Sequence, residues 1–343
     1  MFAARGVAVS FSVFVMVYCV LSLVVSLGWR TLWRYSQGHP VGRVADWLFA
    51  LRMFPLITAS IITAAFTVPS FLLLEPRAID EPLGGIPLVL GICGAGLAIF
   101  GAMNAGLALR RASRTVAGWT RAAQSLECHA PLPFPVLRIP ESIPANISVN
   151  IPANLPARIP AMTVAGIVRP RVFLSGVAES MLSVNELQTA LNHEVAHVRR
   201  RDNLKKLLLR FVAFPGMSGL EAAWLEATEM AADDAAVANA REALDLAAAL
   251  IKLSRLGPVE VASDEAAADL TAALVYSPAS VMNARVERLI AWSEERLALP
   301  QRFSRSCRLG YGLGAALATA AVFAVTYSQL LVHVHTATEW LVR

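Results

Sequence analysis

The sequence is poor in charged residues and rich in apolar ones. Charged residues make up 16% of its 343 positions, whereas soluble domains usually contain about 25%. Hydrophobic residues make up 56% of the chain, and the mean hydropathy is +0.55. A core of this size cannot hide so much apolar surface from water, so we expect a lipid bilayer to surround part of the protein.

Lysine and cysteine are both scarce, and each shortage excludes a class of protein. Only three lysines occur (Lys205, Lys206 and Lys252), and most arginines flank apolar segments. The net charge of +5 therefore does not indicate a surface for binding nucleic acid. No two of the four cysteines show a metal-binding spacing such as C-x-x-C. A disulfide framework is not expected either, which fits a reducing compartment for the polar part of the chain.

Four apolar runs are long enough to cross a bilayer, which takes about 20 residues. They are Val7–Trp29, Met53–Leu74, Gly84–Leu109 and Gly310–Val334. The first run is too long for the apolar region of a signal peptide, only Arg5 precedes it, and no small-residue cleavage site follows it. We therefore interpret it as a retained span.

Arginines predict the orientation of these spans. They lie between spans one and two (Arg30, Arg34, Arg43, Arg52), after span three (Arg110, Arg111, Arg114, Arg121) and before span four (Arg302, Arg305, Arg308). Cytoplasmic loops carry an excess of arginine and lysine. The sequence therefore predicts a multi-pass protein of the cell (inner) membrane, with residues 110–309 in the cytoplasm and both termini outside. A shorter apolar stretch, Leu207–Met217, contains Arg210 and Pro215, and we expect it to lie near the membrane surface rather than to span.

These observations divide the chain into three parts. Residues 1–109 form a three-span membrane region, residues 110–309 a cytoplasmic domain, and residues 310–343 the fourth span with a short outer tail. Residues 139–162 of the domain contain a Pro-rich four-residue repeat (IPES, IPAN, ISVN, IPAN, LPAR, IPAM). Proline at this density excludes a helix or a central strand, so we expect an extended spacer.

The remainder of the domain is predicted to be α+β and mostly helical. Two strand-like runs, Thr163–Val168 and Arg171–Leu174, precede a capping box at Ser183–Glu186. Apolar residues recur at helical spacing after that box and predict a helix over 184–202. Three further helices are expected at 219–240, 241–256 and 280–298.

The predicted helix over 184–202 contains His193-Glu194-Val-Ala-His197, an H-E-x-x-H pattern. Two histidines four residues apart lie on one face of a helix, with Cβ atoms about 6 Å apart, and can bind one zinc ion together. Glu194 is placed to accept the proton of a water that attacks a carbonyl. The alternative is a helix whose two histidines face solvent, but Leu191 and Val195 indicate a packed helix.

A catalytic zinc ion requires a third protein ligand. The acidic residues Glu226, Glu229, Asp233 and Asp234 lie on the next predicted helix. Glu229 and Asp233 are four residues apart, so one can bind the metal while the other accepts the N–H of a ligating histidine. We favour Glu229 as the ligand over a solvated acidic helix face.

The sequence HEVAHVRRRDNL, which begins at His193, and the sequence EMAAD, which begins at Glu229, resemble the BlaR/MecR antirepressor family of membrane zinc metallopeptidases. The sequence RVERL from Arg285 and the position of the domain between spans three and four resemble that family too. The resemblance implies one Zn²⁺ per chain, bound by His193, His197 and Glu229. It implies Glu194 as general base, Asp233 as the residue that orients a ligating histidine, and a supporting role for Asp202 at the helix end.

The resemblance completes the predicted fold: a mainly α membrane protein with four transmembrane helices and an α+β zincin-like metallopeptidase domain inserted between spans three and four. The antirepressors carry an outer penicillin-binding domain after the fourth span. This chain instead ends at Arg343, and it has no S-x-x-K sequence, so we do not expect it to be acylated by β-lactams.

Three functions are weighed against each other. The leading one is an endopeptidase that cleaves a protein on the cytoplasmic side, such as a transcriptional repressor in a signalling pathway. The second is a membrane zinc peptidase similar to the HtpX and CAAX-protease group, and the third is a non-catalytic signalling scaffold, which the retained Glu194 disfavours. Tyr276 and Arg285 are candidate oxyanion stabilisers by residue type alone. His333 and His335 form an H-x-H sequence, and we place both at the membrane interface rather than in a metal site.

Overall fold

The computed structural model describes residues 2–36, 38–75, 84–125, 134–139, 161–212, 214, 216–255, 272–273, 279–295, 327 and 329–339. The Pro-rich repeat falls almost entirely outside these residues, as do Tyr276 and most of the fourth predicted span.

The membrane region consists of long apolar helices. Helix α1 covers Phe2–Ser36, and α2 covers Val41–Ile62. A π-helical turn at Thr63–Thr67 joins α2 to α3, Val68–Leu74, and α4 covers Gly85–Ala122. Among the described residues, three helical segments are long and apolar enough to cross a membrane, with mean hydropathies of 2.5, 1.9 and 2.1. They correspond to the first three predicted spans.

All three segments extend beyond the apolar runs. The second helix begins at Val41, directly after Pro40. The predicted span begins later, at Met53, because the first turns of α2 carry Asp46 and Arg52, and charged residues exclude these turns from an apolar run. The third continues to Ala122 and so joins the predicted span to the amphipathic residues that follow it. These three helices are therefore longer than the apolar runs, because polar residues also form the backbone hydrogen bonds that extend a helix beyond the hydrocarbon of the bilayer.

Small residues let α1 and α4 approach closely. Gly91 and Gly94 of α4 face the backbone of α1, and a Cβ atom at Gly94 would lie only 2.5 Å from the carbonyl oxygen of Phe11. The Ser12 hydroxyl of α1 donates a 2.6 Å hydrogen bond to the carbonyl oxygen of Pro87. Close backbone approach through small residues is a usual way for helices to pack in lipid.

A small mixed sheet forms one layer of the polar domain. Its strands are β1 Gln124–Ser125, β2 Val136–Ile139, β3 Met162–Ala165, β4 Arg171–Ser175 and β5 Ala272–Ala273, in the order β1-β2-β4-β3-β5. The β2–β4 pair is parallel, whereas the other three pairs are antiparallel. Strands β3 and β4 overlap the two runs expected from the sequence, whereas the other three strands were not expected.

Helices form the other layer of the domain. They are α5 Gly176–Met181, α6 Val184–Arg200, α7 Asp202–Phe211, α8 Ser218–Ala236, α9 Ala240–Ser254 and α10 Ala279–Glu295. Apolar side chains of α6, α9 and α10 pack against β3 and β4 in one core. The helix expected over 184–202 ends at Arg200, because Arg201 adopts a left-handed conformation (φ 56°, ψ 40°) and α7 starts after it.

Helices α7 and α8 connect this domain to the membrane region. The first half of α8 shares a core with the spans, in which Leu220 and Trp224 pack with Trp29 of α1 and Leu48 of α2. The backbone of Phe211, at the end of α7, contacts α4 at a glycine. The apolar stretch that was expected near the membrane surface is thus divided between α7 and the loop before α8.

Candidate metal centre

Helix α6 carries the two histidines and has a well-defined start. The Ser183 hydroxyl accepts the backbone N–H of Glu186 (3.3 Å), and the Glu186 carboxylate accepts the backbone N–H of Ser183 (2.7 Å). Lys252 of α9 donates to the same carboxylate at 2.7 Å. Burial opposes ionisation of Glu186, but the hydrogen bonds from Lys252 and Ser183 outweigh it and lower its pKa. The predicted capping box therefore forms and also fixes α6 to α9.

His193 and His197 lie one turn apart on the buried side of α6, and Glu229 of α8 faces both. Their Nε2 atoms are 3.1 Å apart, and each is 3.6 Å from an oxygen of Glu229. Four ligands at about 2.1 Å from a tetrahedral zinc ion lie about 3.4 Å from one another. The three side chains therefore already have approximately the spacing of zinc ligands, and the backbone does not have to move to bring them together.

The second nitrogen of each imidazole lies next to its own carboxylate. His193 Nδ1 is 2.9 Å from an oxygen of Asp233, and His197 Nδ1 is 2.8 Å from an oxygen of Asp202. A proton held between Nδ1 and a carboxylate leaves the Nε2 lone pair for a metal and fixes the plane of the ring. The left-handed turn at Arg201 brings Asp202 back onto His197.

Arg285 of α10 connects two of the carboxylates and is itself buried. It donates to Asp233 through Nε (2.8 Å) and Nη2 (2.7 Å), and its Nη1 lies 3.1 Å from Glu229. Burial opposes ionisation of both acids, but the charges of His197 and Arg285 lower the pKa of Glu229 to about 2. Arg285 likewise holds the pKa of Asp233 well below its usual range. Arg285, which the sequence suggested as an oxyanion stabiliser, therefore binds the carboxylates of Asp233 and Glu229 instead.

Glu194 is fully buried beside the three ligands and does not join them. The backbone N–H of Val164 in β3 approaches its carboxylate, but no side chain within the described residues donates a hydrogen bond to either oxygen. Burial, reinforced by the charge of Glu229, raises the pKa of Glu194 to about 8 despite the opposing charge of His197. A buried carboxylate that no side chain pairs with is costly, which indicates that it functions with a water or a substrate group.

The residues present fit a catalytic zinc ion. Two imidazoles and one carboxylate are a known ligand set for such a site, and three protein ligands leave one position for water or substrate. The remaining acidic candidates lie elsewhere: Asp234 pairs with Arg288 (2.6 Å), and Glu226 does not belong to the cluster.

A cavity of about 450 Å³ opens beside His197. Val164 at the end of β3, Ile167 and Pro170 in the loop before β4, and Leu204 of α7 contribute to its walls. It therefore offers an apolar surface directly next to a metal ligand.

A second group of potential ligands lies far from this centre, where Glu75, His335 and Glu339 meet. Glu75 already pairs with Arg5 at 3.2 Å. The two carboxylates lie nearest to opposite nitrogens of the His335 ring, Nδ1 at 3.9 Å and Nε2 at 3.5 Å. Since one ion cannot bind both nitrogens of one ring, we interpret this group as a set of ion pairs.

Residues 165–330 match the model of peptidase family M48. The matched part includes the H-E-x-x-H helix, Glu229, Asp233 and Arg285. The match supports a membrane-associated metallopeptidase, a hydrolase that acts on proteins, and members of this family are zinc enzymes. No curated protein matches the chain.

Proposed function

We propose that this protein is a membrane-bound, zinc-dependent endopeptidase that cleaves a protein substrate on the cytoplasmic side. The observation that carries the proposal is the convergence of His193, His197 and Glu229 from two helices, with the fully buried Glu194 beside them. The M48 match over the same residues supports the same class of reaction.

The proposed chemistry assigns a distinct task to each residue. Zinc held by His193, His197 and Glu229 would supply a Lewis acid that polarises the scissile carbonyl and lowers the pKa of a water molecule. Glu194 accepts the proton of the attacking water at a carboxylate oxygen and delivers it to the departing amine nitrogen. A zinc ion beside Glu194 would oppose the effect of burial and favour the ionised carboxylate, which is the form that accepts the proton.

The positioning residues keep this arrangement fixed. Asp202 and Asp233 hold the imidazoles through Nδ1, so that both Nε2 atoms point at one place. Arg285 keeps Asp233 and Glu229 ionised and close together. The carbonyl of a substrate can approach from the cavity beside His197, whose apolar wall suits an apolar substrate side chain.

A repressor protein is our leading candidate for the substrate. The resemblance to the BlaR/MecR antirepressors supports it, and so does the core that α8 shares with α1 and α2. Because Glu229 lies on α8, a change in the packing of the spans can alter the metal centre. The arginine distribution supports a cytoplasmic position for the centre.

A second candidate is a processing or quality-control peptidase similar to the HtpX and CAAX-protease group. The family match favours it, because that match is to peptidase family M48 and not to the antirepressors. The two candidates share the centre and differ only in substrate.

Zinc content and peptide cleavage, measured together on the full chain in detergent, test the proposal. We expect one zinc ion per chain in the wild type and in Glu194→Gln, and none in His197→Ala or Glu229→Ala. Among these four proteins, only the wild type should cleave an unfolded protein substrate. Glu226→Gln, a matched change three residues before Glu229 on α8, should retain both zinc and cleavage. A wild-type protein without zinc, or a fully active Glu194→Gln, would contradict the assignment.

A further inference from the structure

A cavity of about 720 Å³ lies between α4, α7 and the start of α8, away from the metal centre. Its polar lining consists of Arg52, Asn104, Arg111, Arg210, Ser218 and Glu221. We propose that this cavity binds the headgroup of an anionic phospholipid from the membrane leaflet around it. The proposal goes beyond the peptidase function and does not depend on it.

The charge of the lining favours an anion. Three arginines and one glutamate give the cavity a formal charge of +2, from three positive groups minus one negative group. Arg111 is exposed and forms no ion pair with any other residue that the structure describes. Basic cavities between transmembrane helices on the cytoplasmic side are typical sites for phosphate-bearing lipid headgroups.

Arg52 adds a buried positive charge to the wall of this cavity. It is 2% exposed although it lies within a segment apolar enough to span a membrane. Its Nε donates to Glu221 at 2.9 Å, and its Nη2 lies 2.8 Å from the same carboxylate and donates to the carbonyl oxygen of Val212. Its Nη1 is buried, and the Tyr18 hydroxyl is hydrogen-bonded to the Arg52 side chain. Arg52 thus fixes a buried positive charge in the wall of the cavity, which favours a negatively charged group beside it.

The apolar side of the cavity distinguishes a lipid from a free phosphate ion. Phe100 and Leu107 contribute to its wall and are also exposed on the surface of α4, which is apolar enough to face lipid. Leu97 lies one turn further along the same face. A lipid whose phosphate lies among the arginines would thus extend its acyl chains along α4, in the hydrocarbon of the bilayer. A free phosphate would gain nothing from this surface.

Native mass spectrometry of the full chain, released from nanodiscs of phosphatidylcholine and phosphatidylglycerol, tests the proposal. We expect the wild type to retain one phosphatidylglycerol. The Arg111→Gln/Arg210→Gln double variant should bind it about thirtyfold more weakly, since each basic residue near the headgroups contributes about 1 kcal/mol. Both residues are exposed, so the fold should survive, and thermal unfolding checks this.

The control is the Arg110→Gln/Arg114→Gln double variant, which removes the same charge from exposed positions of α4 outside the cavity. It should bind the lipid within about twofold of the wild type, because a charge that does not contact the headgroup contributes little. Equal losses in both double variants would show general surface attraction and overturn the proposal. Displacement of the lipid by millimolar inorganic phosphate would assign the cavity to a free anion and overturn it as well.

Discussion

Replacing Asp202 by asparagine should weaken zinc binding while leaving the fold almost unchanged. One oxygen of Asp202 lies 2.8 Å from His197 Nδ1, and its other oxygen has no hydrogen bond within the described residues. Asparagine keeps an acceptor for the imidazole and removes only the negative charge. His197 then becomes a poorer ligand, because a carboxylate partner raises the basicity of the ring.

The expected loss of zinc affinity is large because few other groups interact with the charge of Asp202. The nearest cations, Arg200 and Lys205, are 3.8 Å and 3.9 Å from Asp202, too far for good hydrogen bonds. His197 therefore receives most of the influence of the carboxylate. Loss of such a partner typically lowers metal affinity 10- to 100-fold, or about 1.4 to 2.7 kcal/mol. We expect a value near the middle of this range, about thirtyfold.

The same substitution at Asp233 should behave differently. Asp233 accepts two hydrogen bonds from Arg285, which is 1% exposed. Asp233→Asn removes one of the two carboxylates that compensate a buried guanidinium, the other being Glu229, so it should cost up to about 3–5 kcal/mol, the cost of a fully broken buried pair. We therefore expect Asp233→Asn to lower the stability of the zinc-free protein strongly, and Asp202→Asn to lower mainly its zinc affinity.

Competition with a chromogenic chelator gives the zinc affinity, and thermal unfolding of the zinc-free protein gives the stability. Asp234→Asn is the matched control, since Asp234 is exposed, next to Asp233 in sequence, and paired only with Arg288 among the described residues. If Asp202→Asn binds zinc as tightly as this control, the carboxylate does not tune His197 and the reasoning is refuted.

Three further outcomes are expected. Gly94→Ala should lower the thermal unfolding temperature in detergent by an amount equivalent to about 1–3 kcal/mol, because its Cβ would lie 2.5 Å from the Phe11 carbonyl oxygen. Gly96→Ala is the control and should leave that temperature unchanged, since nothing lies within 4 Å of a Cβ atom at Gly96. Glu186→Gln keeps an acceptor for the capping box but removes the charge that pairs with Lys252, so it should destabilise the protein by up to about 1 kcal/mol at pH 7. Because folding lowers the Glu186 pKa below its ordinary value near 4.5, this contribution is fully present above pH 4.5 and disappears as the pH falls through the folded pKa, so melting temperatures of variant and wild type should converge in acid. Chelation of zinc should lower the melting temperature of the wild type but not that of His197→Ala, and an equal effect on both would place the metal elsewhere.

Local sequence patterns predicted the parts of the site that lie within one helix. His193 and His197 share a face because they are four residues apart, and Glu229 and Asp233 share a face for the same reason. The capping box beginning at Ser183 marked the start of α6 for an equally local reason. In each case the helical repeat alone determines the spatial relation.

Contacts between residues of separate helices and strands could not be predicted from local spacing. Arg285 binds Asp233 across 52 positions of the chain, and nothing local distinguishes its guanidinium from one facing solvent. Asp202 reaches His197 only because Arg201, a residue without special preference for positive φ, adopts a left-handed conformation. Strands β1 and β5 have two residues each, too few to show any alternation.

The position of α8 gives the metal centre its dependence on the membrane region. The first half of this helix packs with the spans through Leu220 and Trp224, and its last residue, Ala236, belongs to the core of the polar domain. Glu229 lies between these two anchors and faces histidines that belong to the domain alone. An α-helix transmits displacement along its axis because its hydrogen bonds keep it stiff. A shift of α8 would therefore change the 3.6 Å distances from the Glu229 oxygens to the two Nε2 atoms, which are now close to the separation of about 3.4 Å between tetrahedral zinc ligands. The packing of α1 and α2 on α8 therefore contributes to the position of Glu229 in the candidate metal centre.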